Sequence, residues 1–188
     1  AMGVDLEDGG SLTARLLVGA DGANSAVRAA AGINATVKSY EQTAVVANFG
    51  CARPHLNTAW QWFTDQGVVA LLPLPGEHVS LVWSAPEELA AELAALSADQ
   101  LASRVTERCA SATGESTPVG QLTAIGAAHT FPLRQIKVSS LIASHAALVG
   151  DAAHVVHPLA GQGLNLGLQD VALLLEVARA REAFRDVG

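Results

Sequence analysis

Short alternations of apolar and polar positions fill the first half of the chain, and a three-to-four-residue period takes over in its helical stretches. Residues 3–6 and 12–18 read as the two strands of a hairpin around the turn Asp8-Gly9-Gly10. The second strand runs into Gly19-Ala20-Asp21-Gly22, after which a helix is expected over 25–31, stopped by Gly32. Four β-rich runs follow, at 44–49, 59–64, 68–74 and 79–84. They are parted by Arg53-Pro54, Asp65-Gln66-Gly67 and Pro73-Leu74-Pro75-Gly76, and their even spacing predicts an antiparallel sheet. Trp60 and Trp62 share one face of it by the period of two, either as sheet core or as the wall of an apolar substrate pocket.

Beyond the sheet the period lengthens. Pro86 opens a helix that carries Glu87 and Glu88 in its first turn and runs to Leu96. Ser97-Ala98-Asp99 opens the next, with Leu101, Val105 and Cys109 at four-residue spacing, and 111–120 reads as a loop. Residues 122–133 and 136–142 read as strands broken at Pro132. A buried-type strand at 146–149 ends in Gly150-Asp151, and a last helix is predicted over 163–180. Its apolar stripe is Leu164, Leu168, Val171, Leu175 and Ala178.

Composition narrows the function classes. Half of the 188 residues are apolar and only 15% are charged, so the chain can bury a core. Eighteen acids against eleven bases leave a net charge of −7, which argues against nucleic acid as a partner. No apolar run is long enough to span a bilayer, and no signal peptide opens the chain. Cys51 and Cys109 fit no metal or redox spacing and read as free thiols of a reducing cytosol. His154 and His157 lie three apart, yet no carboxylate or cysteine completes a metal site. No Ser/His/Asp arrangement is present either, and no catalytic side chain is assigned.

Two segments carry the candidate chemistry. The strand that ends in Gly150-Asp151 puts a carboxylate at the carboxyl edge of a sheet, where ribose hydroxyls are commonly held. Pro158-Leu159-Ala160-Gly161-Gln162-Gly163 then feeds a helix start, where Cβ-free backbone and a partial positive charge suit an anion or an electron-rich ring edge. The earlier stretch Leu17-Val18-Gly19-Ala20-Asp21-Gly22-Ala23-Asn24-Ser25-Ala26-Val27-Arg28 repeats the order strand, Asp-Gly turn, helix. Ser25 fits as its cap, and Arg28 is placed to pair with Asp21 or with a phosphate.

Together these segments resemble the flavoprotein aromatic hydroxylases of the p-hydroxybenzoate hydroxylase fold. Asp21, Gly22, Ser25, Val27 and Arg28 match the D-G-x-x-S-x-V-R motif of that family. Gly150, Asp151, Ala152, Ala153 and His154 match G-D-A-A-H, and Pro158, Gly161, Gln162, Gly163 and Asn165 match the P-x-x-G-Q-G-x-N segment after it. Ala70-Leu71-Leu72-Pro73-Leu74, Ser80-Leu81-Val82-Trp83-Ser84 and the run from His157 to Gly167 resemble the ubiquinone-biosynthesis hydroxylases, which act on polyprenylated phenols. The resemblance implies an α/β (α+β) fold: a partial FAD-binding domain plus an antiparallel substrate sheet with flanking helices. The expected division is 1–35 and 143–188 for the cofactor domain and 36–142 for the substrate domain.

It also implies roles. Asp151, after Gly150, is expected to hydrogen-bond the ribitol or ribose region of FAD. The turn formed by Pro158, Gly161, Gln162, Gly163, Leu164 and Asn165 is expected against the isoalloxazine, its N–H groups favouring negative charge on reduced flavin. Asp21, Gly22 and Arg28 are expected near the pyrophosphate path and the approach of NAD(P)H. The implied reaction uses FAD, NAD(P)H and O2 to hydroxylate an apolar phenol, in the cytoplasm with peripheral contact at the inner membrane face.

One family feature is missing: no G-x-G-x-x-G stands in this chain, because Gly161-Gln162-Gly163 is followed by Gly167 and belongs to the other motif. The family's N-terminal part is therefore expected to be lost or cut away, and the chain to bind FAD poorly. Exposed apolar surface is expected near 16–19 and 147–150, with self-association through it. Two other readings stand beside the hydroxylase. One keeps the fold for a flavin-dependent reductase or halogenase, although Trp60-Gln61-Trp62-Phe63-Thr64 lacks the halogenases' W-x-W-x-I-P. The other is a non-catalytic substrate-binding or assembly module.

Overall fold

The computed structural model describes residues 1–114 and 117–180, the side chains of Ala112, Thr113 and Ala160 excepted. The chain divides into two compact units: Ala1–Lys38 with the chain from Arg134 onward, and Ser39–Leu133.

The first unit opens with β1 (Met2–Asp5) and β2 (Ser11–Ala14), paired antiparallel with Met2 opposite Ala14. The single strand expected over 12–18 is interrupted at Arg15-Leu16. Its second part, β3 (Leu17–Gly19), leaves the hairpin and joins a different sheet. The helix expected after the Asp-Gly turn is α1 (Ala26–Ala30). Ser25 caps it by accepting the Arg28 N–H at 2.9 Å.

The second unit is built on one large sheet. β4 (Ala35–Cys51) starts well before the expected run, and β5 (Trp60–Thr64), β6 (Gly67–Leu74) and β7 (His78–Pro86) follow antiparallel. The register puts Trp62, Val69, Trp83 and Val45 in one cross-strand row, hence on one face. That face is closed by α2 (Glu87–Ala95) and α3 (Ala98–Thr113), and the core holds Phe49, Leu71, Leu81, Trp83, Leu93 and Val105, each nearly or wholly inaccessible. A side chain such as Leu93, truncated to alanine, costs about 2–5 kcal/mol. α3 starts with a full capping box, Ser97 and Gln100 each bonding the other's backbone. It extends to Thr113, beyond the start of the expected loop, of which residues 115 and 116 lie outside the described residues.

β8 (Leu122–Val138) completes the sheet in the order β8-β4-β7-β6-β5 and runs straight through Pro132, contrary to the expected break. The physical reason is position. A short strand, His154–Val155, pairs only with Ile136 and Lys137, so among the described residues no strand lies beside Pro132 on the flank of β8 away from β4, and proline is tolerated in a strand with such an open flank. β9 (Ile142–Ala143) and β3 sandwich β10 (Ala146–Leu148) in a three-stranded sheet, antiparallel and parallel respectively. The His154–Val155 strand is β11, and α4 (Gln162–Ala180) closes the described chain. No helix among the described residues is long and apolar enough to cross a membrane.

Candidate functional site

Parallel pairing of β3 with β10 decides where the two motifs meet. Leu17 stands opposite Ala146 and Gly19 opposite Leu148, so both strands leave the sheet at the same carboxyl edge. The Asp21-Gly22 turn follows the first and Gly150-Asp151 the second, the position at which parallel sheets receive nucleotide ligands. Motifs about 130 residues apart in sequence (21 against 151) become neighbours.

Asp21 turns its carboxylate inward to the start of α1. It accepts the Ser25 hydroxyl on one oxygen and the Val27 N–H on the other at 3.0 Å. Burial alone would raise its carboxyl, but these bonds outweigh burial and hold it below the ordinary 3.8. Arg28 is turned to backbone carbonyls instead of to Asp21. Its guanidinium donates to the Ala23 carbonyl at 2.8 Å and to the Ala152 carbonyl at 2.9 Å, clamping the two motifs to each other. Asn24, in the same turn, accepts from Arg134 at 2.8 Å.

The second motif forms a 3-10 turn, Gly150–Ala152, with Ala152 and Ala153 fully buried beneath it. Asp151 is exposed. Pro158 starts another such turn, Leu159–Gly161, closed by Gly161 N–H on the Pro158 carbonyl at 3.1 Å. α4 begins at Gln162, so Gly163, Leu164 and Asn165 occupy its first turn, and Leu164 is 74% exposed. His157, just before, is partly buried, which depresses its pKa below 6.5. The residues present fit a flavin nucleotide. An exposed carboxylate for hydroxyl groups stands at a strand end, and the space beside Gly163 is open: a Cβ there would meet no atom within 4 Å.

Asp170 was not among the residues singled out from sequence. It accepts the Gly150 N–H at 2.9 Å and a bond from His154 Nε2 at 2.8 Å, both on Oδ2. Its only sequence signal is an acid on an otherwise apolar stretch of helix. The expected exposure at 147–150 is corrected: Ala147, Leu148 and Val149 are 3–7% accessible, because β10 is the central strand and packs on Ile33 and Ala153. Val18, on the outer strand β3, is 40% exposed. The larger apolar exposure lies on α4, where Leu164, Leu168, Val171 and Leu175 of the expected stripe are 74%, 59%, 42% and 50% accessible.

In the second unit Trp60 and Trp62 pack on the helix-covered core rather than lining an open wall. The opposite face of the sheet carries the rows Val46-Val82-Ala70-Gln61 and Ala44-Ser84-Val68-Phe63. None of these residues is charged, and Phe63 is 72% exposed. Cys51 and Cys109 are buried and form no disulfide, and burial pushes the Cys109 thiol up to about 12.

Known proteins resemble the chain in sequence and in fold. The chain is 40% identical to the ubiquinone hydroxylase UbiL of Rhodospirillum rubrum over 171 residues, 91% of this chain and 38% of that protein. It is 38% identical to the 3-demethoxyubiquinol 3-hydroxylase of Escherichia coli over 174 residues, 93% of this chain and 43% of the relative. It thus spans about two fifths of the length of these relatives. Among solved structures, PqsL of Pseudomonas aeruginosa in complex with 2-aminobenzoylacetate superposes with a TM-score of 0.72 at 28% identity, covering 96% of this chain and 51% of that one. HpxO of Klebsiella pneumoniae, complexed with FAD and uric acid, shares the fold with a TM-score of 0.70 at 21% identity, covering 96% of this chain and 47% of that one. The family model described as an FAD binding domain matches residues 2–178, and the chain belongs to that family of flavoproteins.

Proposed function

We propose that this chain is part of an FAD- and NAD(P)H-dependent monooxygenase that hydroxylates an aromatic ring, a polyprenylated phenol of ubiquinone biosynthesis. The observation that carries this reading is the pairing of β3 with β10, which brings Asp21-Gly22 and Gly150-Asp151 to one sheet edge. The identity to two ubiquinone hydroxylases supports the substrate class. When bound, FAD supplies the electron transfer and the activation of O2.

The chain's own residues do the rest. Asp151 accepts hydroxyl donors of the ribitol or ribose. The first turn of α4, with Gln162, Gly163, Leu164 and Asn165, offers backbone N–H groups to the carbonyl side of the ring, and the Pro158–Gly161 turn leads the chain into it. Arg28 and Asp21 serve by fixing the turns they belong to, as their bonds to Ala23, Ala152 and Val27 support. The uncharged sheet face with Val46, Val82 and Phe63 suits an apolar phenol, which it orients while excluding water. The protein works in the cytoplasm and meets its apolar substrate at the inner membrane face. Open apolar surface on α4 favours association with a further chain segment or a second copy. Gel filtration of this chain tests that, with a dimer or larger species expected and a clean monomer against it.

The decisive assay uses the product of the complete gene with FAD, NAD(P)H and a prenylated phenol. Nucleotide oxidation coupled to a product heavier by one oxygen is expected. Tight phenol binding without turnover would favour a non-catalytic module, and a halogenated or reduced product would favour the related flavin chemistries.

A further inference from the structure

Side-chain hydrogen bonds with Asp170 and Arg28 hold the turn from Gly150 to His154 at three atoms, and two of those bonds end on one oxygen. Asp170 Oδ2 accepts the Gly150 N–H at 2.9 Å and the His154 Nε2–H at 2.8 Å. The third bond is Arg28 on the Ala152 carbonyl at 2.9 Å. Ala152 and Ala153 are buried, so Asp151 is the one exposed residue of the turn. Gly150 meanwhile sits at φ +60.

Asp170 stands on the side of α4 that meets this turn, one helical turn after Gly167. A Cβ on Gly167 would lie 3.2 Å from the Gly150 Cα, so the helix backbone is pressed against the turn. Packing alone does not call for an acid there, since Gly163, Leu166, Leu174 and Ala178 are the other half-buried positions on that side. A partly desolvated carboxylate is costly unless its oxygens are bonded. Here the bonds it makes are to one backbone amide and one imidazole, both belonging to the turn.

We propose that Asp170 is a positioning residue for the Gly-Asp turn. It touches no ligand; it fixes the left-handed Gly150 and the His154 ring together, and so sets the direction in which Asp151 presents its carboxylate. The assignment rests on the flavin reading only for what Asp151 meets.

Hydrogen exchange and NMR of the His154 ring on this chain without flavin test it. In Asp170→Leu the Gly150 amide is expected to exchange about ten- to a hundredfold faster, and the hydrogen-bonded Nε2–H signal to vanish. Amides of β10 should change by less than about twofold. Asp170→Asn keeps an acceptor oxygen and should hold Gly150 exchange within about threefold of the parent. Gly167→Ala keeps the carboxylate but pushes α4 off the turn, and should speed Gly150 exchange about fivefold; it serves where the leucine variant does not fold. Unchanged Gly150 exchange in Asp170→Leu or in Gly167→Ala overturns the assignment. So does an asparagine variant that exchanges as fast as the leucine one. Failure here leaves the flavin reading standing, and a chain that never takes FAD leaves this assignment to be judged on exchange alone.

Discussion

Arg28 illustrates how a charged residue of a family motif serves the fold. Its charge ends on two carbonyls, Ala23 and Ala152, one from each motif. Arg28→Ala leaves both acceptors poorly satisfied, and urea unfolding should show a loss of about 2–3 kcal/mol. Lysine at 28 has no second donor arm in a fixed fork and should recover less than half of it. Asp151 is the converse case, an exposed side chain at the strand end. In the product of the complete gene, Asp151→Ala should weaken FAD binding about ten- to a hundredfold by flavin fluorescence titration, with little change in melting of the apoprotein. His157 carries a pH signature. Burial lowers its pKa in the folded chain below 6.5, so the neutral ring is favoured on folding. Its share of stability is full above that value and is lost as the pH falls through the lowered folded one. Urea midpoints should therefore drop on acidification below the ordinary histidine range, and His157→Gln should flatten that part of the profile.

Among the elements, the antiparallel strands were legible because turn chemistry marked their ends. Gly67 shows why: it takes φ +97 between β5 and β6, and an added Cβ would meet the Ser84 carbonyl oxygen at 2.0 Å. Gly67→Ala should cost more than about 2 kcal/mol in chemical denaturation, since neither the backbone nor the neighbour can yield. The α1 and α3 caps at Ser25 and Ser97 were legible for the same local reason. What sequence did not disclose depends on partners far along the chain. The split of residues 12–18 into β2 and β3 is set by where β10 offers an edge, and the run of β8 through Pro132 by where β11 does not. α4 docks by another face than its expected stripe: Leu164, Leu168, Val171 and Leu175 of that stripe face outward, while Gly167 and Asp170 face the Gly-Asp turn. A helix apolar on most sides gives no period from which to choose its docked face. Asp170 escaped notice because its partners are a backbone amide 20 positions away and a ring 16 away.

At the scale of the whole molecule, one unit gathers both flavoprotein motifs and the other carries a sheet with one helix-covered face, its opposite face bearing uncharged rows across β4 to β7. The motifs named the family from sequence, and the match over residues 2–178 shows it. The chain spans only about two fifths of the length of the relatives it resembles. The most direct measurement is the quinone pool of a bacterial strain that lacks its own ubiquinone ring hydroxylase and expresses the complete gene. Mass spectrometry should find the accumulated precursor converted to a species heavier by one oxygen, and Asp151→Ala should prevent it. A precursor left unchanged, beside a well-expressed and flavin-loaded protein, would contradict the account.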